Sequence, residues 1–138
     1  MGKKTSAGLL MYRYNKALPA GRQVQVFIAH LGGPFFKNKD DGYWGIPKGM
    51  QETGEELFET AKREFYEETG VVIASETKQS SFVSLGYITH KNGKKVHAWA
   101  FEDGNFDPAK MVCNLTPFGW PENDRGDYFH IEEATKKI

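Results

Sequence analysis

The chain carries a single cysteine, Cys113, which excludes an intramolecular disulfide and leaves a thiol that reads as a small apolar residue. The default setting for such a chain is reducing and cytoplasmic. It has no apolar run of about 18 residues, so no transmembrane helix and no membrane partner is expected. Met1-Gly2-Lys3-Lys4-Thr5-Ser6 matches the short, permissive myristoylation pattern, and no secretory apolar stretch follows it. Charge of either sign is not in excess: 18 Lys and Arg balance 18 Asp and Glu. A general nucleic-acid binder carries a basic excess, so no DNA partner is expected. An enzyme that handles phosphates needs no such excess, because a bound metal supplies local positive charge. His30 and His90 show no metal-ligand spacing. With no internal repeat and no second domain, the 138 residues read as one domain, 1–138, long enough for a real core.

What is present is concentrated between Gly49 and Val71, GMQETGEELFETAKREFYEETGV. Thr53 followed three residues later by Glu56 makes a capping box, which predicts a helix from Gly54. Glu55 and Glu56 suit the positive end of its dipole. Gly70 supplies the left-handed stop, so the helix should run to Thr69. At about 100° per residue, Leu57, Phe58, Ala61 and Phe65 share one apolar arc, the face to be buried. Glu64, Glu67 and Glu68 form a neighbouring arc that overlaps the first at Leu57. Their spacing makes them surface neighbours that repel by roughly a few tenths of a kcal/mol per pair, and by more at the edge of a buried face. A hard divalent cation such as Mg²⁺ offsets this repulsion well, because it takes oxygen ligands, a few carboxylates and substrate phosphates.

The rest of the chain alternates extended and irregular pieces. Ala7–Tyr14 and Val24–Leu31 read as strands joined by a hairpin loop over 15–23. Gly32–Tyr43 reads as a loop, and Trp44–Pro47 as a short extended piece. Ser84–His90 and Lys94–Glu102 flank Asn92-Gly93, the strongest short hairpin signal. Apolar or aromatic residues on both faces of Lys94–Glu102 mark it as an inner strand. Ala74–Ser81 is a polar surface excursion. Tyr128–Ile138 reads as a strand end followed by the start of a helix.

The pattern Gly49, Glu55, then Arg63-Glu64-Phe65-Tyr66-Glu67-Glu68-Thr69-Gly70-Val71 closely resembles the signature of the Nudix hydrolases, the MutT-like family. Phe65 is the one departure, an aromatic where the family usually has an aliphatic residue. The resemblance implies an α+β Nudix fold, a mixed β-sheet between helices in an α/β/α sandwich. It also implies a longer terminal helix than this chain has room for, hence a truncated C-terminus, and either a monomer or a homodimer. It implies hydrolysis of a nucleoside diphosphate linked to another moiety, with Mg²⁺ or Mn²⁺ as cofactor and a nucleotide-type small molecule as substrate. Carried over by position, Glu64, Glu67 and Glu68 are metal ligands, with the backbone carbonyl of Lys48 as a further candidate. Glu55 and Arg63 form a bracing ion pair whose loss would still abolish activity. Glu64 is the first choice of general base and Glu68 the second. Glu102, Asp103 and Asp107 are candidates on a later segment.

Trp44-Gly45-Ile46-Pro47-Lys48-Gly49 resembles the dinucleoside polyphosphate hydrolase and diphosphoinositol polyphosphate hydrolase branches. A dinucleoside polyphosphate such as diadenosine tetraphosphate is therefore the favoured substrate. The alternatives on the same machinery are an oxidised nucleoside triphosphate, ADP-ribose or a 5′-triphosphate RNA end. A non-catalytic nucleotide sensor is the alternative of a different class. Lys48 can place a point charge on a distal phosphate, or stand as an exposed loop lysine. Trp44 either stacks on a base or packs under its loop. His97 shares a strand face with Trp99, where the pair either lines a nucleoside pocket or packs against the terminal helix. Trp120-Pro121 and Arg125 lie in the irregular C-terminal region with no role assigned by the sequence.

Overall fold

A computed structural model describes residues 5–74 and 77–138. Met1 to Lys4, which hold most of the myristoylation match, and Ser75-Glu76 of the polar excursion lie outside the described residues. The sheet is organised around β1 (Thr5–Tyr14), which runs parallel to β6 (Lys95–Glu102) from Thr5↔Lys95 to Tyr12↔Glu102. β5 (Val83–Thr89) pairs antiparallel with β6 at the edge, so β6 is the inner strand its two apolar faces predict. On its other side β1 meets β2 (Val24–Leu31) only over Tyr12↔Val26 to Tyr14↔Val24. The two strands then part, and two short pieces fill the opening. β3 (Trp44–Gly45) pairs with β2, and β4 (Lys48–Met50) pairs with the first half of β1. β7 (Asn123–His130) covers the far side of β2.

The faces of this seven-stranded mixed sheet carry separate cores. On one, α1 (Leu57–Thr69) sets Phe58, Ala61 and Phe65 against Leu9, Met11, Phe27 and Trp99. On the other, α2 (Ile131–Lys137) sets Ala134 against Val26, Ile28 and Trp44. The α/β/α sandwich is therefore as expected. Trp99 belongs to the α1 side, with its ring 5.3 Å from Phe58, and not under the terminal helix.

The helix start differs from the expectation. α1 begins at Leu57, not Gly54, and the Thr53–Glu56 capping box is not formed among the described residues. Gly54 takes a positive φ of 80°, which turns the chain before the helix. Glu55 is drawn out of the first turn, accepting from the Glu52 N–H at 3.2 Å and the Thr60 hydroxyl at 2.6 Å. The stop at Gly70 is as expected, with φ of 82° and its N–H on the Tyr66 carbonyl at 2.8 Å.

Candidate active site

The opening between β1 and β2 brings β4 alongside the carboxylate edge of α1. Contact is so close that a Cβ on Gly49 would fall on the Glu64 carboxyl. Gly8 on β1 makes a second close approach, since a Cβ there would come 2.5 Å from the Pro47 carbonyl oxygen and 2.7 Å from the Lys48 Cβ. Glycine at 49 lets the β4 backbone lie against the helix, and glycine at 8 lets the segment entering β4 lie against β1.

Arg63 is the hub of the cluster. Its Nε donates to Glu55 Oε2 at 2.8 Å and its Nη2 to Glu55 Oε1 at 3.0 Å, a two-pronged pair. Its Nη2 also donates to the Met50 carbonyl of β4 at 3.1 Å. Nη1 reaches Glu64 Oε1 at 2.9 Å and Glu67 Oε1 at 3.2 Å. One guanidinium thus ties the turn, β4 and two helix carboxylates together. The bond to Arg63 holds the Glu55 carboxyl down to about 2 from the usual 4.5. Arg63 is in turn held above its ordinary value, chiefly by Glu55.

Glu64 and Glu68 move in the opposite direction. Burial raises Glu64, and the Glu67 charge adds to it. Glu68 is only 6% exposed. Burial pushes its carboxyl up to about 8 from 4.5, with the charges of Glu122 and Glu64 adding and Asn123 and Lys48 opposing. Asn123 Nδ2 donates to Glu68 Oε1, while Glu68 Oε2 is buried without a hydrogen-bond partner among the described residues. A buried acceptor left without a donor costs about 1–3 kcal/mol.

Among the described residues no three His, Cys, Asp or Glu side chains converge as a finished metal cage. Arg63 holds Glu64 and Glu67, and Asn123 holds Glu68. The donor set nonetheless fits a hard divalent cation. It is all oxygen, it contains the unpartnered Glu68 Oε2, and burial, with the charges of neighbouring carboxylates adding to it, raises the pKa of Glu64 and Glu68.

Beside this cluster opens a cleft of about 660 Å³ whose lining includes Lys48, Glu68, Glu122 and Asn123. Phe35, Phe36, Phe118 and Trp120 line it as well. Lys48 and Trp44 both reach it. Trp44 does so as a core residue: its indole N–H donates to Asp40 at 2.8 Å and its ring packs edge-on against His30 and Phe129. His97 is not brought to the cleft. It stands between β1 and β5, with its ring 5.1 Å from Tyr87. The later acids Glu102, Asp103 and Asp107 are elsewhere too: Glu102 ends β6 opposite Tyr12, and Asp103 and Asp107 accept from nearby backbone N–H groups.

The acid that does face the cluster is Glu122, and with Asn123 it escaped the sequence reading. Both sit where irregular chain becomes β7, a stretch too polar for strand periodicity to flag.

A NUDIX domain model matches residues 7–126. The chain belongs to the NUDIX family. Among solved structures, this NUDIX chain is similar to a C. elegans Ap4A hydrolase in a binary complex, at 20% identity and a TM-score of 0.64, covering 97% of this chain and 85% of that one. It is similar also to the NUDIX domain of Shewanella oneidensis NrtR complexed with ADP ribose, at 14% identity and a TM-score of 0.66, covering 100% and 79%. At these identities the likeness is one of fold. A curated relative, the transient receptor potential cation channel subfamily M member-like 2 of Nematostella vectensis, is 27% identical over 129 residues. That match covers 92% of this chain, which spans only 7% of the relative's length. Nudix hydrolases generally use a divalent metal, as the carboxylate cluster of this chain also favours.

Proposed function

We propose that this NUDIX chain is a metal-dependent pyrophosphohydrolase that cleaves a nucleoside diphosphate linked to another moiety. The observation that carries the reading is the Glu64–Glu67–Glu68 edge of α1, whose buried Glu68 has an unpartnered oxygen and lines a cleft together with Lys48. All three helix carboxylates are present, which disfavours the sensor reading.

Glu64, Glu67 and Glu68 would hold the cation, with Glu122 close enough to add its charge. When bound, the cation supplies positive charge against the phosphoryl oxygens on which negative charge grows. Lys48 sits at the cleft as a point charge for a phosphate. Arg63 and Glu55 keep α1 fixed to the turn and β4, so the carboxylates do not drift from the reacting phosphorus. Glu64 is the proposed base: it takes a proton from the attacking water as the water oxygen bonds phosphorus and the anhydride bond breaks toward the leaving phosphate oxygen.

The favoured substrate is a dinucleoside polyphosphate such as diadenosine tetraphosphate, supported by the Trp44 to Gly49 segment. ADP-ribose, the ligand of the NrtR domain, has the same anhydride and is the second candidate. The test is incubation with nucleotide anhydrides in Mg²⁺, in Mn²⁺ and in chelator, with products read by mass spectrometry. Diadenosine tetraphosphate yielding ATP and AMP only when the cation is present is the expected result. Absence of cation-dependent turnover across the panel would sink the enzyme reading.

A further inference from the structure

We infer that His30 is a positioning residue: its ring, carrying a proton on both nitrogens, grips Asp124 and so holds the bulge in β7 that turns Asn123 onto Glu68. The effect on turnover rests on the hydrolase reading above; the ring protons and the bulge stand apart from it.

The bulge comes from one extra residue in β7. His30 of β2 pairs with Arg125 and Leu31 pairs with Asn123, so Asp124 falls between the two pairs. Arg125 lies on the α2 side of the sheet, its guanidinium 5.2 Å from the centre of the Trp44 ring. Neighbours in an unbroken strand face opposite ways. Counting back from Arg125, Asp124 would then fall on the α1 side and Asn123 on the α2 side. The extra residue reverses both. Asp124 turns to His30, which packs edge-on against Trp44 on the α2 side. Asn123 turns to α1, where its Nδ2 donates to Glu68 Oε1. A slip that removed the bulge would carry Asn123 to the opposite face, away from Glu68.

His30 is what grips the extra residue. It is fully buried, with Nδ1 2.9 Å from Asp124 Oδ1 and Nε2 2.6 Å from the Lys39 carbonyl. A neutral imidazole has one N–H, so it can donate to only one of these two oxygens. Arg125 Nη1 donates to the same Asp124 oxygen at 3.3 Å, so that oxygen acts as an acceptor and the proton of the pair belongs on the ring. Beyond Trp44 the nearby charges are Asp40 and Lys137, and these serve each other: Asp40 accepts from Lys137 at 3.0 Å and from the Trp44 indole N–H at 2.8 Å. Asp124 is therefore the carboxylate that pairs with the buried ring. Loss of one ring proton sets a bare nitrogen against an oxygen, which is costly in a buried place. The grip is present at low pH and is lost as the pH rises through the titration of His30.

The test follows the imidazole and side-chain amide nitrogens of the whole chain by NMR, without substrate, and turnover in Mg²⁺ over the same pH range. Near neutral pH both His30 nitrogens should be protonated in the parent. As the ring loses a proton, the Asn123 amide signals should shift and exchange faster, and turnover should fall with them. In Asp124→Asn the introduced amide can donate to a bare Nδ1, so a neutral ring fits. There His30 should carry one proton near neutral pH, and the Asn123 signals should no longer follow the ring. In Asp124→Ala the Asn123 amide should lose its Glu68-bound shift. Turnover of that variant should fall about tenfold or more, with KM changed by less than about threefold. A bare ring nitrogen in the parent near neutral pH would overturn the inference. So would Asn123 signals that hold still while His30 titrates, or that are unmoved in a folded Asp124→Ala. Absence of turnover on every nucleotide would sink the hydrolase reading and leave the NMR outcomes to decide this one.

Discussion

Arg63 concentrates more of the site than any other residue, because one guanidinium serves Glu55, Glu64, Glu67 and the Met50 carbonyl. Its pair with Glu55 makes a prediction in acid. The folded-state pKa of Glu55 lies near 2, below the ordinary 4.5. A depressed carboxylate contributes stability that is present above the ordinary value and is lost as the pH falls toward the folded value. In urea unfolding, the advantage of the parent protein over Glu55→Gln should be largest near neutral pH and shrink between 4.5 and about 2. An advantage that stays constant down to acid would show that the pair does not set this carboxyl. Gly49 makes a second prediction at the same scale. A methyl in Gly49→Ala lands on the Glu64 carboxyl and forces it or β4 aside. Misplacement on this scale costs about a hundredfold in rate, so turnover should fall by that order while circular dichroism keeps its parent shape. Turnover within about threefold of the parent would mean that Glu64 position is not critical.

At the scale of the element, α1 was legible in its faces and its end but not in its beginning. The apolar arc of Phe58, Ala61 and Phe65 is the buried one, and Gly70 stops the helix with the left-handed φ its residue type suggests. The start moved to Leu57 as Gly54 turns the chain at a positive φ and Glu55 bonds Arg63 of the same helix from outside its first turn. Glu68 was legible in principle: at about 100° per residue it falls about 20° from Leu57, inside the apolar arc, which is why it alone of the three carboxylates is buried. Phe65 anchors this element, fully buried and 5.5 Å from the Phe101 ring. Phe65→Ala should cost about 3–5 kcal/mol in urea unfolding. A loss below about 1 kcal/mol would show that the aromatic at this position is dispensable to the core. The strands read from apolar content and from the Asn92-Gly93 hairpin signal, β1, β2, β5 and β6, matched their expected spans within a residue or two. β7 was seen only at its Tyr128–His130 end, since Asn123 to Asp127 is polar and pairs with β2 through its backbone.

At the scale of the whole molecule, the site exists because β1 and β2 part and let β3 and β4 enter between them. That arrangement puts Lys48 and Gly49 beside α1, and it draws the chain before β7 across to Glu68, joining Asn123 to a carboxylate 55 residues away. Such long-range pairing leaves no periodic trace in the sequence, so the box residues could be placed and the cleft walls could not. Four acidic residues, Glu64, Glu67, Glu68 and Glu122, lie within electrostatic reach here. Burial, with the charges of neighbouring carboxylates adding to it, raises the pKa of Glu64 and Glu68, so the cation-free fold is held below the stability its packing allows. A ligand that binds only the folded state adds stability by mass action. The central claim is that this cluster holds the cation on which turnover depends. Its most direct test is cation-dependent hydrolysis of diadenosine tetraphosphate by the parent protein and by Glu68→Gln, with melting temperature followed in Mg²⁺ and in chelator. The account predicts that Glu68→Gln loses turnover by orders of magnitude, melts no lower than the parent in chelator, and gains less from Mg²⁺. A Glu68→Gln protein that hydrolyses the substrate at the parent rate, with the same gain from Mg²⁺, would contradict it.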